Sequence, residues 1–130
     1  NKKTALAAIE AGADAIVVSN HGGRVMDTMP GTAEVLPEIA NAVAGRVKIL
    51  VDGGIREGID ILKMLALGAD AVMIGRPICI AAFGAAQEGV EFYLDQKRSE
   101  LKKAMILTGC PDINHIDPSV IVRDSKGQVY

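Results

Sequence analysis

A histidine and an arginine stand three residues apart in the segment S-N-H-G-G-R, which occupies residues 19–24 directly after the apolar run 15–18. The His21 imidazole can accept a proton near neutral pH, and the Arg24 guanidinium can hold a carboxylate or a phosphate with two parallel hydrogen bonds. The glycines between them remove side-chain bulk, so a ligand can approach the backbone closely. Taken alone, the segment fits a catalytic site and fits equally a tight loop with a solvated arginine.

Two later segments, D-G-G-I-R at 52–56 and G-R-P at 75–77, also combine glycine with arginine. Both suit a phosphate group, because glycine backbone N–H groups can surround an anion and arginine adds positive charge. Pro77 favours the first turn of a helix, whose N-terminus attracts an anion. The competing interpretation makes Asp52 a helix cap and Arg76 a surface residue. The residues expected to contact the phosphate are Gly53, Gly54, Arg56, Gly75 and Arg76.

These segments follow short apolar strands in a chain that repeats strand, loop and helix. The sequence A-G-A-D-A-I-V-V-S-N at 11–20 returns as L-G-A-D-A-V-M-I-G-R at 67–76, and V-K-I-L-V at 47–51 predicts a further strand. Each copy of the repeat begins where a helix is expected to end at a glycine. This alternation predicts an α/β fold with a parallel sheet. Helices are predicted at 2–11, 32–44, 57–67, 78–86 and 88–108.

Residue types add detail to two of these helices. Thr32 is placed to cap the first turn of the helix over 32–44. In the helix over 88–108, the buried stripe is predicted to comprise Val90, Leu94, Leu101, Ala104 and Met105. Residues 109–130 are expected to form a mostly irregular C-terminal tail.

The three segments rich in glycine and arginine all lie at the carboxyl ends of predicted strands. Ligands of parallel α/β proteins gather at that end of the sheet. Three random loops would scatter their glycines and arginines over both ends. We therefore expect one shared site, in which a phosphate-anchored ligand brings its reactive part toward His21 while Arg24 holds a substrate carboxylate.

The composition argues against several classes of function. The 130 residues carry 14 basic and 16 acidic side chains, a formal charge of -2, which gives no support for nucleic-acid binding. Apolar residues make up 49% of the chain, yet no apolar run approaches the roughly 18 residues that cross a bilayer. A cytoplasmic protein without membrane insertion is expected.

Four other side chains that could carry chemistry are interpreted as structural or surface groups. Cys79 and Cys110 are predicted to be buried free thiols, because their spacing fits neither a disulfide framework nor a metal site. No bound metal is expected. Asp27 is interpreted as a solvated loop residue and His115 as a surface residue.

Six ordered motifs carry a resemblance to a known family: S-N-H-G-G-R at 19–24, L-P-E-I at 36–39, D-G-G-I-R at 52–56, L-A-L-G-A-D-A-V at 65–72, G-R-P at 75–77 and L-T-G-C at 107–110. The chain resembles the FMN-dependent 2-hydroxy-acid oxidases and dehydrogenases over about residues 4–124. Glycolate oxidase, lactate oxidase and flavocytochrome lactate dehydrogenase are members of this family. The reaction that the resemblance implies is oxidation of a small 2-hydroxy acid to the 2-oxo acid, with FMN as cofactor.

The resemblance also implies a role for each candidate site residue. His21 corresponds to the active-site base, Arg24 to the residue that binds the substrate carboxylate, and Ser19 to a flavin contact. The residues that correspond to the FMN-binding segment are Asp52, Gly53, Gly54 and Arg56. Gly75 and Arg76 complete the contacts to the FMN phosphate.

The fold that the resemblance implies is an eight-stranded TIM (β/α)8 barrel, which typically needs roughly 250 residues. This chain can supply only strands 6 to 8 with their helices, so we expect residues 1–130 to form a single partial barrel, the C-terminal fragment of a longer enzyme. The isolated fragment is expected to be inactive. A partial barrel leaves sheet edges unpaired and the apolar inner faces of its helices uncovered, which predicts a homo-oligomer or association with the missing N-terminal half.

Two alternatives remain open on the sequence. Another phosphate-binding barrel, such as a nucleotide dehydrogenase or isomerase, would share D-G-G-I-R and G-R-P, but it gives no reason for S-N-H-G-G-R. The other alternative is a non-catalytic half-barrel that associates with itself or with a partner half. The identity of the hydroxy acid and of the electron acceptor does not follow from these residues.

Overall fold

Three short parallel strands form a sheet in the computed structural model, which describes residues 1–122. Strand β1 spans Ala15–Val18, β2 spans Lys48–Val51 and β3 spans Ala71–Val72, and they lie side by side in the order β1-β2-β3. The predicted parallel sheet is confirmed. Strand β3 is shorter than its sequence repeat of β1 suggests, although the N–H of Met73 still donates to the Val51 carbonyl at 2.8 Å.

Within the described residues 1–122, four helices accompany the strands: α1 at Lys2–Glu10, α2 at Thr32–Val43, α3 at Gly58–Ala66 and α4 at Arg76–Thr108. Short 3-10 turns occur at His21–Gly23 and Pro118–Val120. Ala85 and Ala86 interrupt α4 with non-helical backbone angles, so the two predicted helices in this region are its two arms. The first arm begins at Arg76, two residues before the prediction. Positions 123–130 of the predicted tail lie outside the described residues.

The two outer strands begin at different points along the central strand β2. The first residue of β1, Ala15, pairs with Lys48, whereas the first residue of β3, Ala71, pairs with Leu50, which is two residues further along β2. At the shifted pair, the Asp70 carboxylate accepts hydrogen bonds from Lys48 Nζ at 2.6 Å and from the N–H of Ile49 at 2.9 Å. Burial acts to raise the pKa of Asp70, but these two hydrogen bonds and the Lys48 charge outweigh it and hold that pKa below its usual value. Asp70 therefore remains ionised at neutral pH.

The main core lies between the sheet and the helices. Val18, Ile49 and Val51 point to this side and are buried against α2, whose inner face carries Leu36 and Val43. The opposite face of the sheet is open, because the Val17 and Met73 side chains are 52% and 42% exposed. We expected the uncovered apolar surface on the inner faces of the helices, and that was wrong for α2. Apolar surface remains uncovered on the open face of the sheet and on helix α4, where Phe83 and Phe92 are 94% and 74% exposed.

A second, smaller core joins α3 to α4. Its fully or nearly buried members are Leu62, Ala104 and Cys110. Gly58 makes the close packing possible, because a Cβ at that position would collide with the α4 backbone. The predicted stripe of α4 is wrong at Leu94, which is 47% exposed.

Both cysteines are free, but only Cys110 is buried. The prediction of a buried Cys79 was wrong, because the first arm of α4 leaves that thiol at the surface. His115 is exposed as predicted, and its ring lies 2.7 Å from Asp112 Oδ2. Within residues 1–122, no helix combines the length and apolar character needed to cross a membrane.

Candidate functional site

The carboxyl ends of the three strands surround one cavity of about 340 Å³. The cavity contains side chains or backbone from all three segments singled out in the sequence. Of the nine candidate site residues, eight line it: His21, Arg24, Asp52, Gly53, Gly54, Arg56, Gly75 and Arg76. Ser19, the ninth, is not among the lining residues, but its hydroxyl donates to the carboxylate of Asp52. The arrangement thus brings the imidazole and the three arginines to one place.

His21 is held in an unusual backbone conformation at the end of β1. Its φ is 54°, in the left-handed region that costs a non-glycine residue roughly 1–3 kcal/mol. Two local hydrogen bonds maintain the turn: the N–H of His21 donates to Ser19 Oγ at 3.1 Å, and the N–H of Gly22 donates to Asn20 Oδ1 at 3.1 Å. The turn presents the imidazole to the cavity. Strained residues cluster where function needs a fixed orientation, which favours a functional role for His21.

Asp52 has one satisfied and one unsatisfied carboxylate oxygen. Oδ2 accepts a 2.8 Å hydrogen bond from the Ser19 hydroxyl, while Oδ1 is buried and has no hydrogen-bond partner within the described part of the chain. An unpaired buried acceptor costs about 1–3 kcal/mol, so a ligand hydroxyl that donates to Oδ1 would bind favourably. The alternative interpretation of Asp52 as a helix cap was wrong, because the residue that caps α3 is Glu57.

Thr32 contacts the loop that follows β2, a role that the sequence did not reveal. We predicted that Thr32 caps α2, but the cap residue is Gly31 and the Thr32 hydroxyl donates to the Asp52 carbonyl at 2.5 Å. Gly53 has a φ of 99°, and a Cβ there would lie 2.7 Å from Thr32 Oγ1. Thr32 and the missing side chain of Gly53 together fix the path of the loop.

The cavity is positively charged on balance. Its lining includes three guanidinium groups and one carboxylate, Asp52. The Arg56 guanidinium is oriented by a 2.9 Å hydrogen bond from Nη1 to the Ile55 carbonyl. Arg76 passes beside Gly22, since a Cβ on that glycine would lie 3.5 Å from Arg76 Nη2. Arg76 is exposed, as the competing interpretation stated, yet it lines the cavity. An anion is the ligand that this charge distribution favours.

The first turn of α3, which follows the loop, is satisfied by carboxylates of the chain itself. Asp60 Oδ2 accepts hydrogen bonds from the N–H groups of Arg56 and Glu57, at 2.9 and 3.0 Å. Glu100 Oε2 accepts the N–H of Gly58 at 2.8 Å from the neighbouring helix α4. An anion in the cavity must therefore rely on the guanidinium groups and the glycine backbone instead of the N-terminus of α3.

Glu100 is itself held by a buried lysine. Lys97 Nζ lies 2.6 Å from Glu100 Oε2 and 5.2 Å from the centre of the Tyr93 ring, and its side chain is 8% exposed. The hydrogen bond from Lys97 lowers the pKa of Glu100, so the carboxylate that accepts the Gly58 N–H stays ionised. No local sequence signal could have revealed this contact, because Gly58 and Glu100 are far apart along the chain.

Comparison with known proteins finds relatives that share this region. The family model that matches, over residues 1–123, is described as FMN-dependent dehydrogenase. The chain is 48% identical over 115 residues to a peroxisomal (S)-2-hydroxyacid oxidase of Arabidopsis thaliana, covering 88% of this chain and 32% of that protein. It is 52% identical over 120 residues to an L-lactate oxidase of Lactobacillus jensenii, covering 90% of this chain and 29% of that protein.

The fold has a counterpart among solved structures. A mandelate oxidase variant with the monooxide FMN adduct superposes with a TM-score of 0.87 at 46% sequence identity, over 91% of this chain and 38% of that one. The chain spans about a third of the length of the curated relatives that it matches.

Proposed function

Because the chain belongs to the FMN-dependent dehydrogenase family, we propose that it forms part of a site that oxidises a small 2-hydroxy acid to the 2-oxo acid. The observation that carries the proposal is the single cavity in which His21 and Arg24 share a rim with the glycine and arginine loops after β2 and β3. The activity is that of a full-length enzyme to which this chain contributes the last three strands of an eight-stranded barrel.

The residues present fit FMN. The Arg56 and Arg76 guanidinium groups and the backbone of Gly53, Gly54 and Gly75 line the positive part of the cavity, where a phosphate would be held. Oδ1 of Asp52, which is buried and unpaired within residues 1–122, would accept a hydrogen bond from a hydroxyl of the cofactor's sugar-alcohol chain, while the Ser19 hydroxyl donates to Oδ2. The chemistry that FMN supplies when bound is acceptance of two electrons from the substrate.

The chain's own residues bind the substrate and move its proton. Arg24 holds the substrate carboxylate through two parallel hydrogen bonds, which points the 2-hydroxy group toward His21. His21 accepts a proton from that hydroxyl or, in a carbanion scheme, from the carbon that bears it. Its strained turn keeps the imidazole in place before the substrate arrives, so little ordering is needed during the reaction.

Membership of this family removes the reason to retain a nucleotide dehydrogenase or isomerase as the alternative. The non-catalytic half-barrel stays the alternative for the chain in isolation, because its sheet has one open face. The cytoplasmic location remains a prediction, since one relative is named as peroxisomal.

A chimera tests the proposal. This chain replaces the matching 120-residue region of the Lactobacillus jensenii L-lactate oxidase, to which it is 52% identical. We expect the purified chimera to show a visible flavin absorption band and to oxidise L-lactate. The His21→Ala variant of the chimera should lose roughly 10²- to 10⁴-fold in turnover while it keeps the flavin.

His115→Ala is the matched control, because His115 is exposed and lies outside the cavity; it should leave turnover unchanged. A chimera that folds without flavin would contradict the cofactor assignment. Undiminished turnover in His21→Ala would contradict the role of the base.

A further inference from the structure

The two arms of α4 are attached to the rest of the chain in different ways. The second arm, residues 87–108, packs on α3 through Leu101 and Ala104. Its Glu100 carboxylate also accepts the N–H of Gly58 at 2.8 Å. Apolar packing and a long-range hydrogen bond therefore hold the second arm in place.

The first arm, residues 76–84, lacks an anchor of this kind. Within residues 1–122, neither hydrophobic core contains any of its side chains. Its Ile80 and Phe83 side chains are 72% and 94% exposed. The arm nevertheless carries Arg76, which lines the cavity at the carboxyl ends of the strands. Another contact must therefore fix the direction in which the arm leaves β3.

That contact lies where the two arms meet. The corner between them is formed by Ala85 and Ala86, and the φ of 47° and ψ of -128° at Ala86 fall outside the regions that a non-glycine residue favours. The corner brings the backbone of Gly89 against the Ala81 carbonyl near the end of the first arm. A Cβ at position 89 would collide with that carbonyl oxygen and lie 3.2 Å from the Ala85 Cβ. The close approach of the two arms therefore requires glycine at position 89.

We propose that Gly89 is a positioning residue for Arg76. Its contact with Ala81 holds the far end of the first arm against the anchored second arm. The near end is fixed by the loop after β3, because the N–H of Ile78 donates to the Gly75 carbonyl at 3.0 Å. With both ends of the arm fixed, the Arg76 guanidinium is kept at the cavity. This inference rests on the proposed function, in which Arg76 contacts the FMN phosphate.

The surroundings of Arg76 leave little room for a change in the direction of the arm. The guanidinium passes beside the turn that carries His21, since a Cβ on Gly22 would lie 3.5 Å from Nη2. A tilt of the arm would separate Arg76 from Gly53 and Gly54, which line the same cavity. A misplacement of about 1 Å caused by a distant substitution can already cost on the order of 10²-fold in activity.

The affinities of the chimera for FMN and for riboflavin test this role, because riboflavin lacks the phosphate. Gly89→Ala should raise the dissociation constant of FMN at least about tenfold, as expected when a hydrogen bond to a charged group is lost. The constant for riboflavin should stay the same. Fluorescence titration of the flavin-free chimera measures both constants. Gly84→Ala is the matched control on the same helix, because its new Cβ meets open space, and it should change neither constant.

A double variant tests whether Gly89 acts through Arg76. Arg76→Gln removes the positive charge and should itself raise the dissociation constant of FMN. Adding Gly89→Ala to Arg76→Gln should then have no further effect, because the group that Gly89 positions is already absent. A further loss as large as in the parent chimera would overturn the inference. An equal loss of FMN and riboflavin affinity in Gly89→Ala alone would overturn it as well.

Ile80→Gly provides the comparison if Gly89→Ala does not fold. Ile80 is exposed and lies between Arg76 and Ala81, so a glycine there loosens the helix that connects them without causing a collision. Ile80→Gly should weaken the binding of FMN relative to riboflavin, whereas Ile80→Ala should not. Equal ratios of the two affinities in these variants would count against the positioning role.

The outcomes separate this inference from the proposed function. If Gly89→Ala changes the ratio of the two affinities in a chimera that does not oxidise L-lactate, the proposed function fails and the positioning role stands. If the chimera oxidises L-lactate and Gly89→Ala leaves the ratio unchanged, the positioning role fails alone. A parent chimera that binds FMN no more tightly than riboflavin would contradict both.

Discussion

The Ser19 hydroxyl donates a 2.8 Å hydrogen bond to Asp52 Oδ2 and so joins the end of β1 to the end of β2. The same hydroxyl oxygen accepts the N–H of His21, which links the imidazole turn to the carboxylate. The Ser19 side chain thus links the orientation of His21, the proposed base, to that of Asp52, a proposed contact to the cofactor. Neither Asp52 nor His21 can shift without disturbing the other.

Replacing Ser19 with alanine should weaken flavin binding. A hydrogen bond to a charged group contributes about 1.5–3 kcal/mol, so the dissociation constant of FMN in the chimera should rise about tenfold or more. Fluorescence titration of the flavin-free chimera measures this. Ser99→Ala, at an exposed position on α4, is the control and should not change the constant. Equal affinity in Ser19→Ala would show that Asp52 is oriented without this contact.

Arg24→Lys should impair catalysis while the flavin stays bound. Lysine keeps the charge but cannot offer two parallel N–H donors to a carboxylate. We expect kcat/KM for L-lactate to fall about ten- to a hundredfold in the chimera, with a higher KM. Steady-state kinetics tests this, with Arg98→Lys on the surface of α4 as the control. A normal KM in Arg24→Lys would be evidence against carboxylate binding at this residue.

Gly53→Ala should distort the loop after β2. The new Cβ would lie 2.7 Å from Thr32 Oγ1, and the φ of 99° is unfavourable for alanine. We expect a loss of about 1–3 kcal/mol in the free energy of unfolding, measured by urea denaturation of the chimera, and weaker FMN binding. Gly84→Ala meets open space and should not destabilise. If Gly53→Ala binds FMN normally, Thr32 does not constrain this loop.

Lys97→Met should destabilise the junction of α3 and α4. The substitution leaves the Glu100 carboxylate without its buried partner, at a cost of about 1–3 kcal/mol in the free energy of unfolding. Lys102→Met changes an exposed lysine of the same helix and should have little effect. Urea denaturation of the two variants side by side gives the comparison. Equal stabilities would mean that the ion pair contributes nothing to this junction.

The contribution of Glu100 should depend on pH. The hydrogen bond from Lys97 holds its pKa in the folded protein below the ordinary value of 4.5, so the stabilising effect is complete above about that pH. It is lost as the pH falls through the lower, folded value, because the carboxylate must then be protonated. The difference in stability between the parent and Glu100→Gln should therefore be full at neutral pH and shrink in acid. A difference independent of pH would contradict this account.

The sequence predicts which loops share the cavity better than it predicts the residues that support those loops. His21, Arg24 and the glycine and arginine loops are recognisable because parallel strands bring their carboxyl ends to one edge whatever the details of packing. Thr32 was misinterpreted because a threonine at the start of a helix is usually a cap, and only the position of Asp52 above it reveals another role.

Long-range packing accounts for the other differences. The contact from Glu100 to Gly58 depends on how α4 crosses α3, which no local pattern encodes. Leu94 and Cys79 were expected to be buried because apolar periodicity marks a helix face without saying whether a neighbour covers it. In this structure nothing within residues 1–122 fully covers either side chain.

The hydrogen bonds that Asp60 and Glu100 accept at the start of α3 have a consequence for the proposed binding of FMN. Because these contacts need no ligand, the loop between Asp52 and Arg56 keeps its shape in the apoprotein. FMN would then bind to a loop that already has its binding conformation, so little binding free energy would be lost to ordering of the chain. If the proposed function holds, rebinding of FMN to the flavin-free chimera should accordingly be rapid.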